Sequence, residues 1–170
     1  MGMGFPGSRL TAPIPDPERL ALLDHAYELG CTFWDSSDIY VIIGKWLAQH
    51  PEKRKDIFLA TKFGGIMLPM GVGFRGDPAY VPIACEQSLR LGVEVIDLWY
   101  PHRLDGSTPV EHIVAEMVKL KEQGKIRHIG LSEVSSATLR RAQAVLGGAI
   151  QGPDNFGEVD IRRFYPRFSK

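Results

Sequence analysis

The chain has 170 residues, of which 44% are hydrophobic and 24% are charged, as in a globular protein with one domain of ordinary size. Its 20 acidic and 20 basic residues balance, so no net charge favours a nucleic acid or an anionic membrane surface as partner. No apolar run has the length of a membrane span, and Cys31 and Cys85 lack the spacing of a metal or redox motif, so we expect free thiols and a cytoplasmic protein.

Helix signals recur along the chain. The predicted helices span 16–30, 44–50, 77–91, 108–124 and 136–147. The fourth begins with the spacing of a capping box, in which Thr108 and Glu111 would satisfy the first backbone N–H groups. Ser136 is the expected N-cap of the last helix.

Short apolar runs of strand length alternate with these helices, at 31–34, 57–61, 95–100, 127–131 and 149–151. Alternation at this spacing predicts an α/β fold with a parallel sheet. Each of the first four runs becomes polar at its carboxyl end, where parallel α/β folds bind their ligands. We therefore expect the side chains that follow these runs to share one edge of the sheet, namely Asp35, Lys62, His102 and Ser132.

These side chains suit proton transfer to a carbonyl oxygen. A tyrosine hydroxyl with its ordinary pKa near ~10 is a poor acid at neutral pH unless a neighbouring cation stabilises the phenolate. Tyr40 would be that acid and Lys62 the cation, and Asp35 would hold the ammonium in place. His102 would donate a hydrogen bond to the carbonyl oxygen.

A glycine pattern offers a competing interpretation. "GVGFRG", residues 71–76, satisfies G-x-G-x-x-G, and Asp97 stands where the pattern expects the acid that binds a ribose. A phosphate-binding turn must follow its strand directly, whereas seven residues separate Phe63 from Gly71 here. Asp97 also precedes the apolar part of its own strand. We interpret residues 71–76 as a loop near the site and expect no Rossmann-type dinucleotide site.

Four segments in order, "FWDSSDIY", "FLATKFG", "IDLWYPHRLD" and "GKIRHIGLSEVS", resemble signature segments of the aldo-keto reductases. The resemblance implies an NADP(H)-dependent oxidoreductase on a (β/α)8 TIM barrel, with a small aldehyde or ketone as substrate. It assigns the catalytic tetrad to Asp35, Tyr40, Lys62 and His102. It places Asp35, Ser132, Glu133 and Gln151 at the cofactor, although many members have Asn where Glu133 stands.

The resemblance covers only part of such a barrel. Residues 1–151 are expected to form a partial barrel, from the end of its first strand to the start of its sixth, and 152–170 an irregular tail that resembles a segment far downstream in the family. The expected consequences are weak NADPH affinity and sheet edges open to pairing. An alternative is therefore a non-catalytic fragment that associates with itself or with a full-length relative. Nucleic-acid binding by the basic tail is disfavoured by the zero net charge.

Overall fold

The computed structural model describes residues 14–38, 41–69 and 71–147. Tyr40, Gln151, the predicted strand at 149–151 and the tail at 152–170 lie outside them. In chain order the elements are α1 (Asp16–Glu28), β1 (Phe33–Ser37), α2 (Ile42–Gln49), a 3-10 helix (Pro51–Asp56), β2 (Phe58–Phe63), β3 (Gly65–Leu68), β4 (Gly71–Phe74), α3 (Tyr80–Leu89), β5 (Ile96–Pro101), α4 (Val110–Glu122), β6 (Ile126–Ile129) and α5 (Ser136–Gly147). None of the described helices has the length and apolarity needed to cross a membrane.

Four of these strands form one parallel sheet in the order β1-β2-β5-β6. The parallel α/β prediction is confirmed, and each strand lies within a few residues of its predicted run. Every neighbouring pair is joined by a segment that contains at least one helix, as parallel strands require. The result is one arc of a barrel with its helices on the outside.

Alternation along the strands separates two faces of the sheet. Trp34, Phe63 and Trp99 point to the helices, where the Phe63 and Trp99 rings stack with centroids 3.9 Å apart and the Trp99 indole donates to Ser88 Oγ at 3.1 Å. Trp34 meets Trp46 of α2 edge to face at 4.6 Å. This helix-facing layer holds the core. The opposite face carries the polar strand-end side chains and forms the site.

A hairpin that the sequence did not reveal follows β2. β3 and β4 pair antiparallel, with Gly65 opposite Phe74 and Leu68 opposite Gly71. Gly64, at φ 89°, starts the hairpin, and a Cβ there would come within 2.6 Å of the Arg75 carbonyl oxygen. Residues 71–74 are thus a strand, and the prediction of a loop there is wrong. A strand that folds back in a hairpin cannot supply the strand-to-helix turn of a dinucleotide site.

The capping residues of α4 and α5 differ from prediction. α4 begins at Val110 without a side-chain cap, because Thr108 donates its hydroxyl to Asp105 and Glu111 pairs with Arg141, so the predicted capping box does not form. In α5 the cap is Ser135, whose hydroxyl oxygen accepts from the backbone N–H of Thr138 at 3.1 Å, and Ser136 is the first helical residue. Adjacent serines give the sequence no means of choosing between them.

Candidate active site

The carboxyl ends of β1 and β2 bring Asp35 and Lys62 together. Strand register pairs Ser37 with Lys62, so the Lys62 side chain lies beside the end of β1. Its Nζ is 2.5 Å from Asp35 Oδ2 and donates a second bond to the Ser36 carbonyl oxygen at 3.2 Å. The ammonium is therefore fixed by a carboxylate and a backbone carbonyl, in the arrangement that the sequence suggested for these two residues.

Tyr100, at the end of β5, completes this cluster and was not predicted from the sequence. Its hydroxyl donates to Asp35 Oδ1 at 2.6 Å, and its ring centroid lies 5.0 Å from Lys62 Nζ. Burial, followed by the hydrogen bond to Asp35, raises the pKa of the Tyr100 phenol well above its ordinary value. A phenol with a raised pKa is a poor proton donor to a substrate. The hydroxyl and ring of Tyr100 instead contact Asp35 and Lys62.

His102 and Asp38 face each other beside the end of β2, where their backbone N–H groups donate to the carbonyl oxygens of Phe63 and Lys62. His102 Nε2 lies 3.5 Å from Asp38 Oδ1, and both atoms are buried without a hydrogen-bond partner among the described residues. The Asp38 side chain is only 7% exposed. Gly65 makes room for the imidazole, because a Cβ at this position would lie 3.2 Å from His102 Cδ2. Asp38 thus lies in the turn after β1 with a buried carboxylate that faces a histidine.

Ser132 and Glu133 lie on the loop after β6, at the same edge of the sheet. Ser132 is half-buried. Glu133 has a left-handed backbone at φ 54°, and its Oε2 accepts from Arg103 Nε at 2.7 Å, with both side chains exposed. The carboxylate of Glu133 is thus directed to Arg103 on the neighbouring loop. Tyr40 and Gln151, the remaining candidates from the sequence, lie outside the described residues.

Asp97, the candidate ribose acid of the glycine pattern, has a different role. Its side chain is buried near the amino end of β5, on the helix-facing side. Oδ2 accepts from Arg54 at 2.8 Å and from the backbone N–H of Leu59 at 2.9 Å, and Oδ1 accepts from Arg127 at 2.7 Å. These bonds join β5 to β2, β6 and the 3-10 helix. Both oxygens accept bonds from the fold itself and the residue is only 1% exposed, so a ligand cannot reach this carboxylate.

Comparison with known proteins places this geometry in a family. The model of the Aldo/keto reductase family matches residues 1–151. The chain belongs to this family. An aldo-keto reductase of Strobilurus tenacellus is 53% identical over 135 residues, which are 76% of this chain and 39% of the relative. An aldo-keto reductase [NADP(+)] of Schizosaccharomyces pombe is 37% identical over 225 residues, which take in 100% of this chain and 66% of the relative.

Solved aldo-keto reductase structures confirm the partial barrel. The glycerol dehydrogenase of Gluconobacter oxydans matches with a TM-score of 0.71 and 29% identity, over 85% of this chain and 45% of that one. An aldo-keto reductase of Bacillus halodurans matches with a TM-score of 0.67 and 28% identity, over 75% of this chain and 45% of that one. The chain thus spans about two thirds or less of the length of these family members. The alignment with the Schizosaccharomyces pombe relative runs over 225 residues against 170 here, so that relative carries stretches without a counterpart in this chain.

Proposed function

We propose that the chain catalyses the NADP(H)-dependent reduction of an aldehyde or ketone to an alcohol. The observation that carries this proposal is the Lys62 ammonium, fixed by Asp35 at 2.5 Å at the edge of the sheet that also holds His102 and Ser132. A fixed cation at this position is what a tyrosine needs in order to donate a proton at neutral pH. Family membership and the NADP(+) in the name of the Schizosaccharomyces pombe relative support the choice of NADP(H).

The described residues fit the reacting end of this cofactor and its substrate. His102 Nε2 is buried and has no hydrogen-bond partner among the described residues. This leaves it able to donate a hydrogen bond to the carbonyl oxygen of a bound substrate. Asp35, Ser132 and Glu133, together with Gln151, would hold the nicotinamide end. When bound, NADPH supplies the hydride.

The residues of the chain would supply the proton. Tyr40 donates it to the carbonyl oxygen, Lys62 stabilises the phenolate that remains, and Asp35 keeps Lys62 in position. His102 donates a hydrogen bond to the same oxygen and so favours the charge that develops there. Tyr40 and His102 would thus both act on the carbonyl oxygen, whereas Lys62 would act only through Tyr40.

Paired substitutions test this proposal through aldehyde-dependent oxidation of NADPH. Tyr40→Phe removes the proton donor and Lys62→Met removes the cation, so each is expected to lower kcat by about 10²–10⁴-fold. Tyr27→Phe on α1 and Lys119→Met on α4 are matched controls expected to keep the activity of the unaltered chain. Undiminished turnover in Tyr40→Phe would contradict the assignment.

A second candidate function is association through the sheet edges, with a second copy of the chain as partner. Within the described residues β1 and β6 are the outer strands, and each pairs on one side only. Unpaired parallel edges offer a row of backbone donors and acceptors to another chain. Size-exclusion chromatography with light scattering tests this candidate, and a monomer at every concentration up to the micromolar range would reject it.

A further inference from the structure

Asp35 is bound from two sides by side chains of two different strands. Its Oδ2 takes the Lys62 ammonium of β2, and its Oδ1 takes the Tyr100 hydroxyl of β5. Tyr100 therefore spans from β5 to β1, across the strand that carries Lys62. Both oxygens of the carboxylate are engaged, which leaves the side chain little freedom to rotate.

The Lys62–Asp35 pair needs such a third contact. The Lys62 side chain is 22% exposed and that of Asp35 is 45% exposed, so water competes for both charges. Ion pairs this open to solvent contribute little free energy and do not by themselves fix two flexible side chains. A hydrogen bond of 2.6 Å from a large, half-buried tyrosine is a stronger constraint on the carboxylate.

Tyr100 also limits where the ammonium can go. Its ring lies 5.0 Å from Lys62 Nζ, at a cation–π distance, while the Ser36 carbonyl oxygen receives a further bond from Nζ at 3.2 Å. The ammonium is surrounded by a carboxylate, a carbonyl and an aromatic ring. Because two of these three groups depend on Tyr100, either through its ring or through its hydroxyl, the position of Lys62 depends on it as well.

We infer that Tyr100 is a positioning residue of the active site, which fixes Asp35 and thereby holds the Lys62 ammonium where the proton-donating tyrosine requires it. The inference rests on the proposed function, since that reaction is what gives the position of Lys62 its importance. Tyr100 does not touch the reacting atoms in this role. It acts through Asp35 and Lys62.

The first test measures Lys62 directly and needs neither NADPH nor a carbonyl substrate. Each lysine of the folded chain is labelled with an amine-reactive ester, and mass spectrometry gives the rate at every site. Tyr100→Phe keeps the ring but removes the hydroxyl, so Asp35 is released on one side. We expect Lys62 to be labelled at least about threefold faster, while the rates at Lys119 and Lys125 stay unchanged.

Tyr27→Phe is the matched control. The Tyr27 hydroxyl also donates to a carboxylate, Asp56 Oδ2 at 2.8 Å, and its ring also lies near an ammonium, that of Lys53 at 4.7 Å. This variant should leave Lys62 labelling as it is. An unchanged Lys62 rate in Tyr100→Phe, or an equal rise at all lysines, would overturn the inference, because a general loosening of the fold exposes every site.

A second variant covers the case in which Tyr100→Phe does not fold. Asp35→Asn removes the charge that holds both partners, so Lys62 labelling should rise as it does in Tyr100→Phe. Nitration of the Tyr100 ring by tetranitromethane should rise as well, because the phenol loses its tie to a carboxylate. If Asp35→Asn leaves both rates unchanged, the three side chains are not coupled and the inference fails. In the double variant the two substitutions should be less than additive.

Turnover separates this inference from the proposed function. If the chain reduces carbonyls, Tyr100→Phe should lower kcat by about tenfold with little change in KM, since a displaced cation affects the proton transfer and not substrate binding. If the chain is inactive but Lys62 labelling rises, the positioning role stands and the proposed function fails. If the chain turns over and Tyr100→Phe leaves Lys62 labelling unchanged, the proposed function stands and the positioning role fails.

Discussion

The two ends of the parallel sheet each hold a buried carboxylate, and the two differ in how far their hydrogen-bonding capacity is satisfied. At the amino end, Asp97 is 1% exposed, and its oxygens receive two arginines and a backbone N–H. At the carboxyl end, the Asp38 side chain is 7% exposed, and its Oδ1 faces His102 at 3.5 Å without a hydrogen bond among the described residues. The first carboxylate joins strands. The second, like the histidine beside it, has bonding capacity that the described fold does not use.

This difference indicates that the amino end of the sheet contributes stability, whereas the carboxyl end keeps polar groups that a ligand can bind. A buried charge is tolerated when every oxygen is satisfied, and it is costly when it is not. Groups left unsatisfied in a native structure are candidates for function, because a ligand can complete them. In barrels of parallel strands the carboxyl face carries catalysis and the amino face carries stability, as the two carboxylates do here.

The largest effect is expected at the amino end. Asp97→Ala leaves Arg54 and Arg127 without their shared partner and the Leu59 N–H without an acceptor. Removing one member of a buried charge network costs about 3–5 kcal/mol of unfolding free energy. Urea unfolding followed by tryptophan fluorescence measures the loss, and Lys119→Met, which removes an exposed pair on α4, should cost no more than about 0.5 kcal/mol. Equal losses in the two variants would remove the contrast between the ends.

Asp38→Asn should have the opposite sign and a smaller size. The amide keeps the shape of the side chain and removes a buried negative charge whose Oδ1 has no hydrogen-bond partner among the described residues. We expect the unfolding free energy to rise by about 1 kcal/mol. The same substitution at Asp97 should lower it, so the two asparagine variants form a pair measured under one set of conditions. A loss of stability in Asp38→Asn would show that Asp38 is as much a structural residue as Asp97.

The stability of the chain in acid should depend on a third carboxylate, that of Asp105. It follows β5 at the carboxyl end of the sheet, and its oxygens accept hydrogen bonds. Burial alone would raise the pKa of Asp105, but the N–H and hydroxyl groups of Thr108, together with the N–H groups of Ser107 and Gly76, lower it to about 2. Since the folded pKa lies below the unfolded value near 3.8, this stabilisation is present above pH ~4 and is lost as the pH falls towards 2.

The Asp105 contribution is about 1 kcal/mol after allowance for solvent screening, no larger than the change expected for Asp38→Asn. Asp105→Asn should therefore be less stable than the unaltered chain at pH 7, and the difference should disappear near pH 2. Thermal unfolding at a series of pH values checks this. A difference that persists unchanged at the acid end of the series would mean that shape and not charge holds the loop after β5.

The sequence predicted the parallel sheet because its signals are local. Apolar runs, capping residues and glycine stops lie next to one another in the chain, and the polar ends of the runs placed Asp35, Lys62 and His102 at one edge. The hairpin of β3 and β4 escaped prediction, since its two strands have only four residues each and little polar alternation. Its glycines matched a nucleotide motif by coincidence.

Tyr100 and Asp97 could not be predicted for a different reason. Both lie within "IDLWYP", where they look like interruptions of one apolar strand. Their roles depend on register, which sets Lys62 beside Tyr100 and Leu98 beside Ala60 and His128. Pairing between strands that lie far apart in the chain is not written in any local pattern. Likewise, nothing in "SSDIY" shows that the carboxylate of Asp38 is buried.

The strand order of the sheet has a consequence for how the chain acquires its structure. Within this sheet each strand pairs with the sheet strand that precedes it in the chain: β2 with β1, β5 with β2 and β6 with β5. No described strand of this sheet needs a partner from the far end of the described chain, so each step closes only the segment between two successive strands of the sheet. During synthesis the sheet can therefore grow from one side as each βα unit leaves the ribosome, with every new strand adding to an edge that is already formed.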